Sequence, residues 1–192
     1  MAYRFNPAKL EKLNDVRRLD DLRPDKMWAA FGVPDARVVV EVGAGTGVFA
    51  AQFARRMAEG GTLYAVDSEP AMLAWMAEHL PDDVRDAIAV TDADALALPL
   101  KDGAADLVFS VNLHHELPDR AGMIAEAVRV LRAGGTLGIV DWAAAETPKG
   151  PPIEHRIAAE TIAAELEAAG LADVTVHPVL PYHSVVTGRK PV

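Results

Sequence analysis

The feature that most constrains this chain is a run of β-branched residues that ends in a cluster of glycines. Val38-Val39-Val40-Glu41-Val42 reads as a strand buried on both faces, and Gly43-Ala44-Gly45-Thr46-Gly47 follows at once. Beyond it Phe49, Phe53 and Met57 recur at spacing four, the period of a helix face, until Gly60-Gly61 ends the helix. A strand that passes through glycines into a helix must bend sharply. It also lets another molecule approach the backbone without a Cβ in the way. The helix N-terminus beyond offers unsatisfied N–H groups and a partial positive charge.

Strand-length apolar runs alternate with helical periods along the rest of the chain, the pattern of an α/β protein with a mostly parallel sheet. Strands are expected at residues 37–42, 63–66, 87–90, 106–111 and 136–140. Two short final strands around Val174–Val176 and Val185–Val186 should pair antiparallel, because Pro178 and Pro181 punctuate the turn between them. Pro70 opens a helix that Ser68 would cap. Residues 119–131 form a helix that Gly134-Gly135 breaks, and Ile162, Leu166 and Ala169 mark one more that stops at Gly170. Pro148, Gly150, Pro151 and Pro152 exclude regular structure from the loop at 143–152. Residues 1–34 read as an N-terminal helical extension and 35–192 as the domain proper, one structural unit overall. The extension is expected to fold over the ligand mouth, with Met27, Trp28 and Phe31 on the sheet edge.

Composition removes several function classes. The 192 residues suit one domain with a real core, and 51% hydrophobic residues spread throughout exclude a disordered chain. No apolar run approaches the roughly 18–20 residues that span a bilayer. Residues 1–22 contain no uninterrupted apolar stretch of the secretory kind, so a soluble cytoplasmic protein is expected. The absence of cysteine removes disulfides, thiolate zinc sites and cysteine nucleophiles together. A net charge of -9 disfavours a nucleic-acid partner. Arg17-Arg18, Arg23 and Lys26 alternate with Asp15, Asp20, Asp21 and Asp25, which reads as a solvated helix face.

Three details sharpen the glycine turn. A dinucleotide fingerprint wants its third glycine at position 48, which is Val48 here. No Lys or Arg stands between Val38 and Ala54, so nothing in the loop acts as a phosphate-gripping lysine. Glu41 enters the turn instead, which suits a ligand with an ammonium and a sulfonium better than one with phosphates. Asp67 stands about 20 residues beyond the turn at the end of the next strand, where a carboxylate accepts both hydroxyls of a ribose. The plainer alternative makes Asp67 a cap for the helix that follows.

Residues 38–50, VVVEVGAGTGVFA, closely resemble the first motif of class I S-adenosylmethionine-dependent methyltransferases. Asp67 falls at that family's ribose-binding acid, and residues 93–100 (ADALALPL) resemble its adenine-contacting stretch. Residues 131–135 (LRAGG) resemble a turn in which Ala133 replaces the common proline. The likeness spans residues 37–142 and is similar in flavour to the ubiquinone/menaquinone-biosynthesis branch. It implies a Rossmann-like methyltransferase fold: a mostly parallel seven-stranded sheet, helices on both faces, and an antiparallel last strand. It also implies S-adenosylmethionine as methyl donor, with S-adenosylhomocysteine as product. On that likeness Glu41 faces the methionine amino group, and Gly43, Ala44, Gly45 and Gly47 line the methionine and ribose. Asp67 holds the ribose hydroxyls, Ser68 or Met72 flanks the adenine, and Asp94 with Ala95 reads the adenine edge. Asp92 is a rival for the role of Asp94. Asn112 lies near the transferring methyl group.

The acceptor side is less specific. His114-His115-Glu116 follows the fourth strand, at the sheet edge where open α/β folds bind ligands. Either histidine could act as a base, since an unperturbed imidazole titrates near pH 6.5, or both could simply line the loop. A metal site from these adjacent residues is disfavoured, because neighbours in sequence rarely converge on one ion. Asp141-Trp142 occupies the same edge. Trp142 either stacks on a flat acceptor or covers the core under the proline-rich loop. Lys149 reads as a solvated loop charge, and His155, His177 and His183 as structural or surface residues. The acceptor pocket is left to the first 34 residues, the 143–152 loop, or the second subunit of a homodimer. The expected function is methyl transfer from S-adenosylmethionine to a small molecule. A non-catalytic S-adenosylmethionine-binding protein is the alternative. A nicotinamide-dependent oxidoreductase is opposed by Val48 and by the Asp94 motif.

Overall fold

Valine-rich β1 (Val38–Val42) is a central strand of a seven-stranded sheet ordered β3-β2-β1-β4-β5-β7-β6. The computed structural model describes residues 10–192, so the first part of the N-terminal extension lies outside the described residues. The other strands are β2 (Thr62–Asp67), β3 (Ile88–Asp92), β4 (Ala105–Val111), β5 (Leu131–Trp142), β6 (Ala172–His177) and β7 (His183–Arg189). Strands β1 to β5 pair in parallel, whereas β7 runs antiparallel to both β5 and β6. The Rossmann-like methyltransferase architecture expected from the sequence is the one observed.

Helices cover both faces, as parallel strands require. They are α1 (Leu10–Leu13), α2 (Arg18–Leu22), α3 (Pro24–Phe31), α4 (Val48–Ala54), α5 (Pro70–His79), α6 (Arg120–Val130) and α7 (Ala159–Ala168). None among the described residues is long and apolar enough to cross a membrane. Strand alternation splits the core in two. Val39, Phe109, Val140 and Val185 point to the face that Met27, Phe31, Phe49 and Phe53 of α3 and α4 cover. Val40, Val108, Ile139 and Val186 point to the other face, against Met123, Ile124, Ile162 and Leu166 of α6 and α7. Each such fully buried side chain contributes about 1.5–3 kcal/mol by leaving water.

Phe31 sits 5.8 Å from Phe53 and 5.7 Å from Phe109, and Phe53 meets Phe109 edge-on at 4.7 Å. A Cβ added at Gly138 of β5 would lie 2.4 Å from the Phe31 ring, so only glycine lets that ring seat on the strand. Met27 and Phe31 therefore pack on the face of the sheet, where more apolar area is available than on its edge.

Three local expectations change. Helix α4 ends at Ala54, well before Gly60, whose φ of +74° belongs to the turn into β2. Helix α6 ends at Val130, and β5 already begins at Leu131, which is fully buried. Gly134, at φ +73°, lies within β5 where its register against β4 shifts, so Gly134-Gly135 shapes an irregular strand and does not end a helix. Finally, Glu69 occupies the cap position of α5 in place of Ser68.

Candidate active site

The carboxyl ends of β1 to β5 and the start of β7 share one edge of the sheet, and the expected site residues collect there. Gly43, Gly45 and Gly47 adopt φ of +71°, +57° and +77°, a left-handed path that side-chain-bearing residues resist. Their close neighbours forbid a Cβ as well: at Gly43 it would lie 2.9 Å from Leu113, and at Gly47 3.0 Å from Met76. The N–H groups of Gly43 and Ala44 both donate to the Val66 carbonyl at 2.9 Å, locking the turn against β2. Asp67 completes it. One carboxylate oxygen accepts from the Gly45 N–H at 2.8 Å, and the other from the Glu69 N–H at 2.9 Å. Asp67 thus serves the start of α5, and the same carboxylate faces the glycine turn.

Glu41 is 1% exposed, and its Oε2 has no hydrogen-bond partner among the described residues. Burial pushes its carboxyl well above the usual range; the charge of Arg18 and the Ala50 N–H offset only part of that cost, while Asp67 adds to it. Arg18 was expected on a solvated face. It instead turns inward, half-buried, with its guanidinium 5.2 Å over the Phe49 ring and donating to the Leu13 carbonyl at 2.5 Å. Leu22, one helical turn on, is fully buried, so the inward stripe of α2 runs through Arg18. That i, i+4 pairing is the signal from which Arg18 could have been found. The exposed charges are its neighbours, with Arg17 bonded to Asp15 at 2.6 Å.

The remaining donor-side candidates lie along β2, β3 and β4. Ser68 is exposed and Met72 is buried in the first turn of α5. Asp94 is exposed and accepts from the Leu96 N–H at 2.8 Å, which shapes the loop after β3; Ala95 beside it is half-buried. Asp92 pairs in register with Asp67 and is also exposed. Asn112, just past β4, holds φ +57°, donates its N–H to Val140 at 2.8 Å, and buries an unpartnered Oδ1. A strained backbone with an orphan carbonyl at this edge marks a place built for contact.

His114 and His115 part company. His114 is fully buried, with Nε2 2.7 Å from Glu165 on α7, and Glu165 is held in turn by Arg120 at 2.8 Å. Burial draws the His114 pKa below its ordinary value despite Glu165. The His115 side chain is 9% exposed, and its Nδ1 meets Asp141 at 2.7 Å. Asp141 itself is fully buried and also accepts the N–H groups of His115 and Trp142, at 2.9 and 2.7 Å. Burial alone would lower the His115 pKa, but the bond and charge of Asp141, with Glu116 beyond, outweigh it and raise the value. The Nδ1 contact leaves Nε2 as the nitrogen not bonded to Asp141, 3.8 Å from Glu116.

Trp142 is half-buried and packs under the proline-rich loop. His183 lies on it at 4.1 Å between centroids, and Arg156 stands 5.5 Å over its ring. A Cβ at Gly150 would come within 2.9 Å of it. Arg156 organises the proline-rich loop by donating to the carbonyls of Ala143, Ala145 and Pro151 at 3.1, 2.9 and 2.9 Å. Lys149 at the loop tip pairs with Asp21 of α2, so it is no lone solvated charge. His183, expected to be unremarkable, is buried at this edge. His177 bonds Thr187 at 2.8 Å within the sheet. Two shallow cavities of about 320 and 360 Å³ lie elsewhere, at the opposite end of the strands.

Residues 40–139 match a family model described as a methyltransferase domain. The chain belongs to the S-adenosylmethionine-dependent methyltransferase family. A solved SAM-dependent methyltransferase from Aquifex aeolicus is 30% identical, with a TM-score of 0.89 over 96% of this chain and 98% of that one. The 2-methyl-6-phytyl-1,4-hydroquinone methyltransferase of Synechocystis sp. is 31% identical over 126 residues, 65% of this chain and 38% of the relative. A ubiquinone/menaquinone biosynthesis C-methyltransferase of Shewanella halifaxensis is 28% identical over 141 residues, 70% of this chain and 55% of the relative. The chain thus spans well under two thirds of the matched curated methyltransferases. The family's donor is S-adenosylmethionine, and the orphan Oε2 of Glu41, the Cβ-excluding turn and the half-buried carboxylate of Asp67 fit it.

Proposed function

We propose that this methyltransferase transfers the methyl group of S-adenosylmethionine to an oxygen of a small-molecule acceptor. Glu41 and Arg18 are coupled electrostatically without closing a direct ion pair. That arrangement suits the amino-acid end of the donor: its ammonium at Glu41 and its carboxylate at Arg18. Gly43, Ala44, Gly45 and Gly47 line the methionine and ribose, and Asp67 takes the ribose hydroxyls. Ser68 or Met72 flanks the adenine, Asp94 and Ala95 read its edge, and Asn112 stands near the reacting methyl. The N-terminal extension closes over this site: Leu13 lies 4.0 Å from where a Gly45 Cβ would be.

Bound there, S-adenosylmethionine supplies an electrophilic methyl carbon; as the acceptor oxygen attacks, the C–S bond breaks and its electron pair stays on sulfur. The observation that carries the oxygen assignment is the His115–Asp141 pair. Asp141 holds Nδ1 as the protonated nitrogen, so the Nε2 lone pair is the one available to take the hydroxyl proton. His114, sealed and tied to Glu165, serves as a brace between the turn and α7. All these groups come from one chain, and nothing in the proposal calls on a second subunit or on nucleic acid.

Calorimetric titration with S-adenosylmethionine, S-adenosylhomocysteine and NAD tests the donor, followed by a labelled-methyl screen against hydroxylated metabolites. Tight NAD binding without a response to S-adenosylhomocysteine would refute the donor assignment. Good donor binding with no transfer to any hydroxylated compound would favour a non-catalytic binder.

A further inference from the structure

One buried group at the acceptor edge has no task in the methyl-transfer scheme. His183 opens β7 and is only 4% exposed, yet neither ring nitrogen has a hydrogen-bond partner among the described residues. A buried polar group without a partner destabilises the fold, and here two belong to one ring. The ring is not free to turn away, because it rests on Trp142, which Arg156 and Gly150 hold from the loop. Trp142 and His183 are register partners, and alternation puts His183 on the same face as Val185 and Val140. Glu41 and the inward side of α2 share that face, so His183 belongs to the edge where donor and acceptor must meet.

The charged groups whose fields reach the ring come from three elements: Asp141 on β5, Asp21 and Arg18 on α2, and Lys149 on the proline-rich loop. Each is already engaged: Asp141 accepts from the His115 ring, Lys149 pairs with Asp21, and Arg18 is coupled to Glu41. Burial depresses the His183 pKa to about 4, with Asp141 and Asp21 offsetting only part of that, so the imidazole is neutral at physiological pH. A neutral imidazole offers one N–H donor and one lone pair. A hydroxyl group, itself donor and acceptor, answers either nitrogen. A carboxylate or an ammonium would bring a charge out of water into a place whose charged groups are already engaged.

We propose that His183 is the hydrogen-bonding anchor of the methyl acceptor, and that the acceptor it selects is an uncharged molecule carrying a hydroxyl group. Its role in turnover rests on the methyl-transfer proposal above, but the binding event is measurable by itself. His183 is a positioning residue for the acceptor; His115 takes the proton.

The probes are phenol, benzoate and benzylammonium, three rings of similar size that differ in charge. They are titrated into the full chain with and without saturating S-adenosylhomocysteine, with histidine ring nitrogens labelled and followed by NMR. Phenol should shift the His183 signals, identified by their loss in H183F, and should bind with an affinity that stays flat from pH 5.5 to 8. H183F keeps an aromatic ring on Trp142 and should weaken phenol about tenfold, the worth of one hydrogen bond, while leaving S-adenosylhomocysteine affinity unchanged. H183N should recover part of the loss. Unmoved His183 signals, undiminished phenol binding by H183F, or tighter binding of benzoate or benzylammonium would each overturn the proposal. If H183F does not fold, the His183 signals are identified by their loss in H183N, and their response to phenol in the unaltered protein decides. A failure of S-adenosylhomocysteine to bind would count against the donor assignment, and the titration without it would still decide the anchor.

Discussion

The two halves of the sheet edge are built in opposite ways. Over β1 to β3 the polar work falls on backbone, with glycine N–H groups donating to the Val66 carbonyl and to Asp67 across two consecutive strands. Over β4, β5 and β7 it falls on side chains brought from far apart: His115 to Asp141 across 26 residues, and His114 to Glu165 across 51. A backbone cradle needs only glycine and one acid at set positions, so it recurs wherever the same donor must be held. A side-chain cluster is particular to its chain, and the proposed acceptor site draws on it.

If the division is sound, perturbing one half should leave the other untouched. The largest effect is expected for His115→Gln, which keeps a donor toward Asp141 but removes the base. Methyl transfer should fall by roughly 10²–10⁴ with S-adenosylhomocysteine affinity intact. A parallel loss of that affinity, read by calorimetry, would show the halves to be coupled.

Acid should strike the acceptor half first. The His183 pKa lies near 4 in the folded protein, below the ordinary value of 6.5, so the unfolded chain binds the extra proton between those limits. Stability is then lost as pH falls through that window, by about 3 kcal/mol in full. His115, whose folded value is raised, works in the other direction and loses its stabilising share as pH rises. Chemical denaturation between pH 7 and 4.5 should therefore show a shallower acid limb for H183F; equal slopes would contradict a buried neutral imidazole.

Asp67→Ala removes two charge-assisted bonds from the donor half and the acid facing the ribose. S-adenosylhomocysteine should bind about 30-fold more weakly or worse, while the NMR signals of His115 stay in place. The smallest effect belongs to Lys149→Ala. Its pair with Asp21 is half exposed and contributes under about 1 kcal/mol to stability, so the melting temperature should barely move. A large drop would mean that the loop and α2 form a cooperative unit.

Legibility in the sequence follows the same division. The glycine turn and Asp67 show in the strand–turn–helix spacing, whereas Asp94 is legible only through the resemblance of residues 93–100 to the family's adenine-contacting stretch. Arg18 was hidden by its company, because alternating charges read as solvated until the inward stripe through Leu22 is seen. A lone histidine such as His183 carries no spacing signal except its parity with Val185, which the short final strand made easy to overlook. Trp142 had two open roles, and its contacts with His183, Arg156 and Gly150 show the packing one.

The sequence by itself determined the α/β architecture and the cradle at Gly43 to Gly47, because those depend on local backbone geometry and on periodic burial, while its resemblance to class I methyltransferases implied the donor. Only the tertiary structure decided which of two adjacent histidines meets a buried carboxylate, that Arg18 turns toward Glu41, and that His183 is sealed without a partner. The physical reason is that a side chain's protonation and bonding depend on neighbours that approach through space from distant parts of the chain. No spacing along the chain encodes those neighbours.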